Sequence, residues 1–451
     1  MIKNYNREIK GVFSSQVELY SIMNKKYLLI LFLIIITFNR ILAEEAGKFT
    51  LKDCINMAMD NNPSIIRARQ DIKVAESSKT QALATYLPNL KYTGTYQKSN
   101  QGNGTIVSGI YFPAVPIDDY SSTVSVSQTV FDTFKGLYQY KQYKAQIEQY
   151  EYALKESSNN LALTIAQDYF NAAKAKDILN FRETLLDNSL KYLDKANENF
   201  QVGLSPKSDV FTAEVNVTQA KVDLLTAQND IKNKMAQLKI DTGLPVDKNI
   251  DIAEEIYELK KKSSMEQALS DAIEQRPEIK KYNAQIEYQD RVITGAKLQR
   301  LPNVTLAVSY NYGTDSYLSP DKYYSVYGQV NFPIFDGFNT KAQVESAEAT
   351  RAQYESDKEK QKRTIISDVT TAYNDLETNM AKIELNKIQV EQAKFNMELA
   401  EGKYTSGVGS FQDILNRQDD YSKAVINLIT ARYDYQISLA KFKKATGEEL
   451  P

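Results

Sequence analysis

The sequence lacks the residues on which most enzymes and metal sites depend. It contains no histidine and no tryptophan in 451 residues, and Cys54 is its single cysteine. The commonest general base and metal ligand is therefore missing, and one cysteine excludes an internal disulfide. No phosphate loop or nucleophile motif is present. We predict a protein that is not an enzyme, with no catalytic, cofactor-binding or metal-binding residues.

Long hydrophobic runs are also scarce. The run Tyr27–Phe38 has twelve residues, whereas a membrane-spanning helix needs about 20. It follows two lysines, which is typical of a signal peptide. We predict a signal peptide over residues 1–43, ending at Ala43. If translation starts at Met23, the residues before it are a mis-called N-terminal extension. The mature protein is thus expected to be exported.

Positive charge is not in excess. The formal net charge is −2, and loss of residues 1–43 would change it to −6, because six basic and two acidic side chains would be removed. Nucleic-acid binders need positive charge to neutralise phosphates. The charge balance therefore argues against nucleic acid as a partner.

What the chain does contain is an internal repeat. Residues 51–96 align with residues 265–310 at a constant offset of 214, and from residue 131 onward the offset is 204. The matched pairs include Pro63 with Pro277, Leu87-Pro88-Asn89 with Leu301-Pro302-Asn303, Phe131-Asp132 with Phe335-Asp336, Gly203 with Gly407, and Thr242-Gly243 with Thr446-Gly447. We predict a first repeat over residues 44–250 and a second over residues 251–451.

Each repeat contains long stretches without glycine or proline. Leu137–Asn199 and Asn339–Glu401 have 63 residues each, which as continuous helix would span about 95 Å. In each repeat a shorter stretch of 24 residues precedes the long one, and another of 36 or 37 residues follows it. The two shorter stretches together match the length of the long one. Heptad spacing in the first long stretch favours packing on neighbouring helices. We predict two short helices, end to end, beside each long antiparallel helix.

Between these helices the pattern changes to alternation of apolar and polar residues. Four segments are predicted as strands, near residues 89–98, 120–131, 303–313 and 323–332. In the third, Val304, Leu306, Val308, Tyr310 and Tyr312 would face one side, with polar residues on the other. Each segment has about the 9 to 11 residues of a transmembrane β-strand.

Alternation alone also fits a half-buried soluble sheet. Export, the polar face of Ser, Thr and Asn, and tyrosines at the strand ends favour the membrane instead. Four strands cannot close a barrel, and open edges are not tolerated in lipid, so several chains are predicted to share one barrel. Two chains would give a nearly filled barrel of about eight strands, whereas three would give about twelve and leave a lumen.

Two segments carry a resemblance to a known family. Asn199–Leu204 with Ser208-Asp209-Val210, and Tyr404–Gly409 with Asp413-Ile414-Leu415, are similar to the two helix-hairpin tips of TolC-type outer-membrane efflux proteins. The similarity runs from residue 49 to the end.

The resemblance implies an α+β membrane protein, in which a long antiparallel α-helical barrel continues into a transmembrane β-barrel shared by a homotrimer. The trimer would lie in the outer membrane of a Gram-negative-type bacterium and extend into the periplasm. It would be the passive channel of a tripartite export system for efflux or type I secretion. Its partners would be a periplasmic adaptor and an inner-membrane pump.

The turns after the two long helices are the first predicted functional site. Gly203 and Gly407 are suited to end helices, and Ser205 and Ser410 to cap the next ones. The apolar residues beside the glycines are not needed for capping. The resemblance implies that these tips dock the adaptor, through Val202, Gly203, Leu204, Gly407, Val408 and Gly409.

The resemblance also implies a gated periplasmic entrance formed by Asp413, Asn416, Tyr404, Asp209 and Ser208. Asp413 matches one of two acidic positions that ring the entrance in the family, and the neutral Asn416 occupies the second. Tyr404 and Asp209 match residues whose bonds between hairpins hold the entrance shut. Because glycine replaces a basic residue of some members at 409, we expect an easier opening unless an arginine elsewhere compensates.

A different class of protein is also compatible with the heptads: an exported periplasmic coiled-coil scaffold or adaptor without a pore. It would not explain four alternating segments of membrane length. The wall of a wide, wet tunnel does not indicate whether drugs, metals or proteins pass through it. The lack of histidine and the single cysteine mildly disfavour a metal-specific role.

Overall fold

The computed structural model describes residues 48–100, 105–112, 116–245, 247, 250–253, 264–315 and 321–450. The predicted signal peptide lies outside these residues. The chain divides into two compact units, and the described residues of the smaller unit are 48–50, 247 and 250–253. Its described part contains two short parallel strands, β1 (Lys48–Phe49) and β6 (Asp251–Ile252).

The larger unit contains the long helices and the main sheet. Its helices are α1 (Leu51–Asn61), α2 (Pro63–Ala84), α3 (Lys135–Gln201), α4 (Lys207–Thr242), α5 (Met265–Gln275), α6 (Pro277–Leu298), α7 (Asn339–Thr405) and α8 (Phe411–Thr446). Its strands are β2 (Asn89–Asn100), β3 (Thr105–Val107), β4 (Ile110–Phe112), β5 (Pro116–Phe131), β7 (Asn303–Asp315) and β8 (Asp321–Asn331).

The helix lengths follow the predicted pattern in both repeats. Helices α3 and α7 have 67 residues each, α4 and α8 have 36, and α2 and α6 have 22. The short helices α2 and α6 end at Ala84 and Leu298, four residues before Pro88 and Pro302. Within the described residues, no helix is long and apolar enough to cross a membrane.

Each long helix packs on two shorter ones, as predicted. Helix α3 contacts α2 and α4, and α7 contacts α6 and α8, while α3 also contacts α6 and α8 and so joins the repeats. Ile365 and Val369 of α7 lie with Tyr435 and Phe442 of α8 in one buried cluster. Both repeats therefore contribute to one packed unit, in which they are not separate domains.

The four long strands form one antiparallel sheet in the order β2-β5-β7-β8. Val126 of β5 is paired with Leu90 of β2 on one side and with Val308 of β7 on the other. The β5–β7 pair thus joins the hairpins of the two repeats. Within the described residues the outer edges of β2 and β8 have no strand partner.

The two faces of this sheet are inverted relative to a soluble sheet. On β7, Leu306, Val308 and Tyr310 are 44%, 42% and 50% exposed, whereas Ser309 and Asn311 between them are less exposed. The polar face is joined by hydrogen bonds: Thr123 Oγ1 donates to Asn311 Oδ1 at 2.8 Å, and the Ser309 and Ser325 hydroxyls are 2.7 Å apart. A soluble sheet of this kind would bury its apolar face.

An aspartate after the sheet starts each long helix. Asp132 Oδ2 accepts the Gly136 N–H at 2.6 Å, and Asp336 Oδ2 accepts the Thr340 N–H at 2.8 Å. Gly337, with φ of 64°, allows the chain to turn sharply before α7. The repeated Phe-Asp pair therefore caps the helices where the strands end.

Candidate functional site

The two long helices end in the same glycine turn. After α3, the Leu204 N–H donates to the Asn199 carbonyl at 2.8 Å and the Gly203 N–H to the Phe200 carbonyl at 3.0 Å. After α7, the equivalent bonds run from Val408 to Lys403 and from Gly407 to Tyr404, both at 3.0 Å. These are Schellman motifs, which need a left-handed residue. Gly203 and Gly407 provide it, with φ of 78° and 77°.

The apolar side chains at these turns are exposed. Val202 is 69%, Leu204 78% and Val408 79% exposed. Because backbone bonds and glycine already end the helices, these side chains are free to contact another molecule. We name Val202–Leu204 and Gly407–Gly409 the hairpin tips.

The starts of the next helices differ from each other. Ser410 Oγ accepts the Asp413 N–H at 3.2 Å, so its predicted capping role is confirmed. The prediction for Ser205 was wrong: the N-cap of α4 is Pro206 and has no side-chain bond. Ser205 Oγ is buried without a hydrogen-bond partner. The predicted cap was wrong because Ser205 lies one residue before the N-cap position of α4.

Gly409 is packed directly against the end of α7. Its N–H donates to the Lys403 carbonyl at 3.0 Å. A Cβ at this position would lie 2.9 Å from both the Lys403 Cβ and the Tyr404 backbone nitrogen. A side chain at 409 would therefore require the turn or the end of α7 to shift.

Asp413 lies in the first turn of α8 and has a basic neighbour. Arg417 Nε is 3.4 Å from Asp413 Oδ1, and Arg417 Nη1 is 2.8 Å from Asp420 Oδ2. Asn416 accepts a hydrogen bond from Gln412 at 3.1 Å. The predicted acidic position is thus partly neutralised within its own helix, by an arginine that sequence reasoning did not single out.

Within this chain, the Tyr404 hydroxyl bonds to a residue other than Asp209, its predicted partner. Its hydroxyl accepts a hydrogen bond from Asn199 Nδ2 at 3.3 Å, and its ring centroid lies 5.6 Å from that of Phe411. Asp209 and Ser208 lie in the first turn of α4, where the Ser208 carbonyl accepts the Thr212 hydroxyl at 2.8 Å. A bond between Tyr404 and Asp209 stays a prediction for the assembled protein.

A line of polar contacts between α3 and α7 was missed by the sequence analysis. Tyr192 donates to the Glu401 carboxylate, Lys195 Nζ donates to Thr405 Oγ1 at 3.1 Å, and the Asn199–Tyr404 bond follows. Burial and then the nearby carboxylate raise the pKa of the Tyr192 phenol. The spacings of three and four residues on α3 indicate that these side chains share one face of the helix. Which residues of α7 lie opposite them depends on the rotation of α7 about its axis.

Beneath these polar contacts the two hairpins share an apolar layer. The buried members are Ala196, Val210, Ala213, Ala400, Phe411 and Ile414. Three come from the α3–α4 hairpin and three from the α7–α8 hairpin. The candidate docking and gating residues therefore belong to one joined structure. Among the residues that the structure describes, no group of three or more Cys, Asp or Glu side chains could bind a metal ion.

Sequence comparison agrees with this architecture. The sequence model of the family described as "Outer membrane efflux protein" matches residues 54–243 and 268–448. "Outer membrane protein TolC" of Vibrio cholerae is 24% identical, covering 88% of this chain and 90% of that protein. "Alkaline protease secretion protein AprF" of Pseudomonas aeruginosa is 22% identical, covering 90% of this chain and 86% of that protein.

Solved structures share the fold. The outer membrane channel CmeC of Campylobacter jejuni superposes with a TM-score of 0.76 at 18% identity, covering 88% of this chain and 85% of that one. VceC of Vibrio cholerae superposes with a TM-score of 0.72 at 17% identity, covering 88% of this chain and 96% of that one. The arrangement of helices and strands is therefore that of this group of channels.

Proposed function

The chain belongs to the outer membrane efflux protein family, and we propose that three copies of it form one passive export conduit through the outer membrane. Each copy contributes four strands to a closed β-barrel and its long helices to a tunnel in the periplasm. The chain is an outer-membrane channel protein of Gram-negative-type bacteria, as its family is.

One observation carries the barrel proposal: the sheet exposes its apolar face, and the outer edges of β2 and β8 have no strand partner among the residues that the structure describes. In lipid an exposed apolar face is favourable, but unpaired backbone groups are not. Joining β8 of one copy to β2 of the next satisfies these groups. Three copies give about twelve strands, enough to leave a lumen lined by the polar face.

A pair of neighbouring substitutions tests which face meets lipid. Val308→Arg places a charge on the apolar face near the middle of the sheet, and its insertion should cost about 2–4 kcal/mol. Ser309→Arg places the same charge on the polar face and should be tolerated. The measurement is the fraction of each variant in outer-membrane pellets.

We expect Val308→Arg to be depleted from the membrane and Ser309→Arg to be retained. If the wild-type protein is released with soluble periplasm, the scaffold alternative is correct and the channel proposal fails. If both variants insert equally, the assignment of the faces is wrong.

We further propose that the hairpin tips dock a periplasmic adaptor, which connects the channel to an inner-membrane pump. The support is the exposure of Val202, Leu204 and Val408 beside rigid glycine turns. A photo-crosslinking amino acid at 408 should give an adduct with the adaptor. Ile240 is a matched control, because it is 57% exposed but lies about 50 Å along α4 from its tip. Equal adducts at both positions would refute docking at the tips.

The periplasmic entrance is proposed to lie beside these tips, with Asp413 repeated three times around its axis. Crowded carboxylates attract cations. The neutral Asn416 and the Arg417 partner make this ring weaker than a doubled acidic ring. Tyr404, Asp209 and Ser208 are proposed to hold neighbouring hairpins together. The name of the Pseudomonas aeruginosa relative, "Alkaline protease secretion protein AprF", supports protein export as a role beside efflux.

A further inference from the structure

A cavity of about 600 Å³ lies where α3, α6 and α7 meet. Its lining residues are within about four turns of the helix ends that adjoin the sheet. Pockets that bind small molecules commonly have volumes of about 300–1,000 Å³. All of the lining residues belong to one chain, so a single copy is sufficient to form the cavity.

Smaller side chains in the second repeat widen this cavity. At the offset of 204, Ala342 of α7 corresponds to Tyr138 of α3, and Ala347 corresponds to Tyr143. Both alanines line the cavity. The two long helices are otherwise of equal length and start from the same aspartate cap. The loss of two aromatic rings is therefore a local difference between two equivalent helices, and it leaves space beside α6.

The α6 wall of the cavity contains a glycine that its helix does not need. Gly295 lies inside α6 and has no positive φ, and at the offset of 214 it corresponds to Gln81. Nothing lies within 4 Å of a Cβ built at this position. Glycine is a poor helix former, and here neither packing nor backbone conformation requires it. The effect of Gly295 is to keep the cavity open.

Gln289 places a buried amide in the same wall. The residue is 7% exposed, and its Nε2 donates to the Ala347 carbonyl at 3.1 Å. Its Oε1 accepts no hydrogen bond from the residues that the structure describes. The first repeat has the buried Ala75 at the equivalent position, so packing of this helix does not require an amide. Because a buried acceptor without a donor is unfavourable, Oε1 favours a ligand that donates a hydrogen bond.

The rest of the lining is polar and nearly uncharged. Lys135 carries the only charge among the described residues that line the cavity. Glutamine amides both donate and accept hydrogen bonds, and serine and threonine hydroxyls do the same. A ligand rich in hydroxyl and amide groups matches such a lining, whereas an anion would need more than one cationic partner. The lining amides and hydroxyls are Gln139, Gln142, Gln289, Gln299, Gln343, Ser346 and Thr350.

We propose that this cavity binds a neutral sugar of about two rings that carries hydroxyl and acetamido groups. One of its N–H or O–H groups donates to Gln289 Oε1, and an apolar side of a ring lies against Val292 and Ala296. The sugar reaches the cavity either as a free molecule or as a unit of a periplasmic polysaccharide. The inference goes beyond the proposed export function and does not depend on the trimer.

Titration calorimetry of the purified protein with N,N′-diacetylchitobiose tests the proposal, in a detergent that has no sugar headgroup. Gly295→Gln restores the residue of the first repeat and fills the space, so it should weaken binding by about tenfold or more. Gly402→Gln is the matched control, because Gly402 is also helical with nothing within 4 Å of its Cβ, but it lies far along α7 from the cavity. This control should bind as the wild type does.

Binding that is lost in Gly295→Gln and kept in Gly402→Gln supports the site. No binding by the wild type, or equal binding by all three proteins, overturns it and leaves water as the partner of Gln289. Binding of glucose 6-phosphate without binding of the neutral disaccharide also overturns it, because the ligand is then an anion held by Lys135. Circular dichroism checks folding, which Gly295→Gln should preserve because glutamine is the better helix former.

Two further measurements identify the source of the sugar and keep this inference separate from the proposed function. Co-sedimentation with insoluble chitin, the polymer of the same sugar, indicates a polysaccharide unit, whereas binding of the disaccharide alone indicates a free sugar. The mass of the detergent-extracted particle is measured on the same samples. A monomer that binds the sugar refutes the channel and supports the site, and a trimer that does not bind it refutes the site alone.

Discussion

Arg417 lies one turn after Asp413 on α8, and its Nε is 3.4 Å from the Asp413 Oδ1 atom. Both side chains are about two-fifths exposed, at 42% and 41%. This pair sets the charge that the proposed entrance presents. An exposed ion pair contributes little to the free energy of unfolding. We therefore expect substitutions in this pair to change how the channel interacts with ions rather than how stable the protein is.

Asp413→Ala should therefore reduce block of single-channel current by multivalent cations, by about tenfold if three carboxylates line the axis. Arg417→Ala should have the opposite effect, because it leaves Asp413 and Asp420 without their basic partner. The measurement is blocking concentration in planar bilayers. Unchanged block in both variants would remove this pair from the pore.

Tyr404→Phe should raise the open fraction of the channel. The change removes only the hydroxyl that accepts from Asn199 and leaves the ring on Phe411. Loss of one hydrogen bond costs about 1 kcal/mol, which corresponds to about a fivefold change in a population ratio. Single-channel recording measures the open fraction, and identical conductance traces for both proteins would contradict a locking role.

Gly409→Ala should destabilise the second hairpin tip. Its new Cβ would contact the Lys403 Cβ and the Tyr404 nitrogen at 2.9 Å, at a cost of about 1–3 kcal/mol. Gly402→Ala is the control, because nothing lies within 4 Å of a Cβ there, and alanine favours helix by up to about 1 kcal/mol. The thermal unfolding midpoint should fall for Gly409→Ala and rise for Gly402→Ala. A stable Gly409→Ala protein would show that the turn can relax.

Asp168 should make stability depend on pH. It lies on α3 beside Asp241 of α4; burial raises the pKa of Asp168 to about 7, assisted by its hydrogen bond to Asp241 and the charge of that group, while Lys234 opposes the shift. A raised carboxyl pKa means that the folded state binds more protons than the unfolded state between about pH 4 and 7, so stability is lost as pH rises through this window.

Asp168→Asn should therefore be more stable than wild type at pH 8, by about 1 kcal/mol after allowance for solvent screening, and similar at pH 5. At the offset of 204 the second repeat has Ala372 and Ala445 in place of the two aspartates, both buried. The double variant Asp168→Ala with Asp241→Ala copies it and should also lose the pH dependence. A parallel pH profile for all three proteins would exclude Asp168 as the titrating group.

Much of the fold was predictable because its signals are local. The absence of glycine and proline located the helices, and period-two alternation located the strands to within a few residues. Helix α3 nevertheless includes Gly136, where the sequence predicted a start at Leu137. The Asp132 side chain satisfies the Gly136 N–H, and glycine content alone does not show this.

The candidate site was predictable only in part. The glycine turns at 203 and 407 followed from the conformation that glycine allows. The Tyr192–Glu401, Lys195–Thr405 and Asn199–Tyr404 contacts did not, because they depend on the relative rotation of two helices that are 200 residues apart in sequence. Asp413 was singled out from the resemblance, whereas its partner Arg417 became evident only in three dimensions.

The proposed channel requires that sister copies complete the four-stranded sheet in the outer membrane. Native mass spectrometry of protein extracted from membranes in detergent tests it most directly. We predict a particle of three chains that dissociates or precipitates when detergent is removed. A single chain that stays soluble in water without detergent would contradict it.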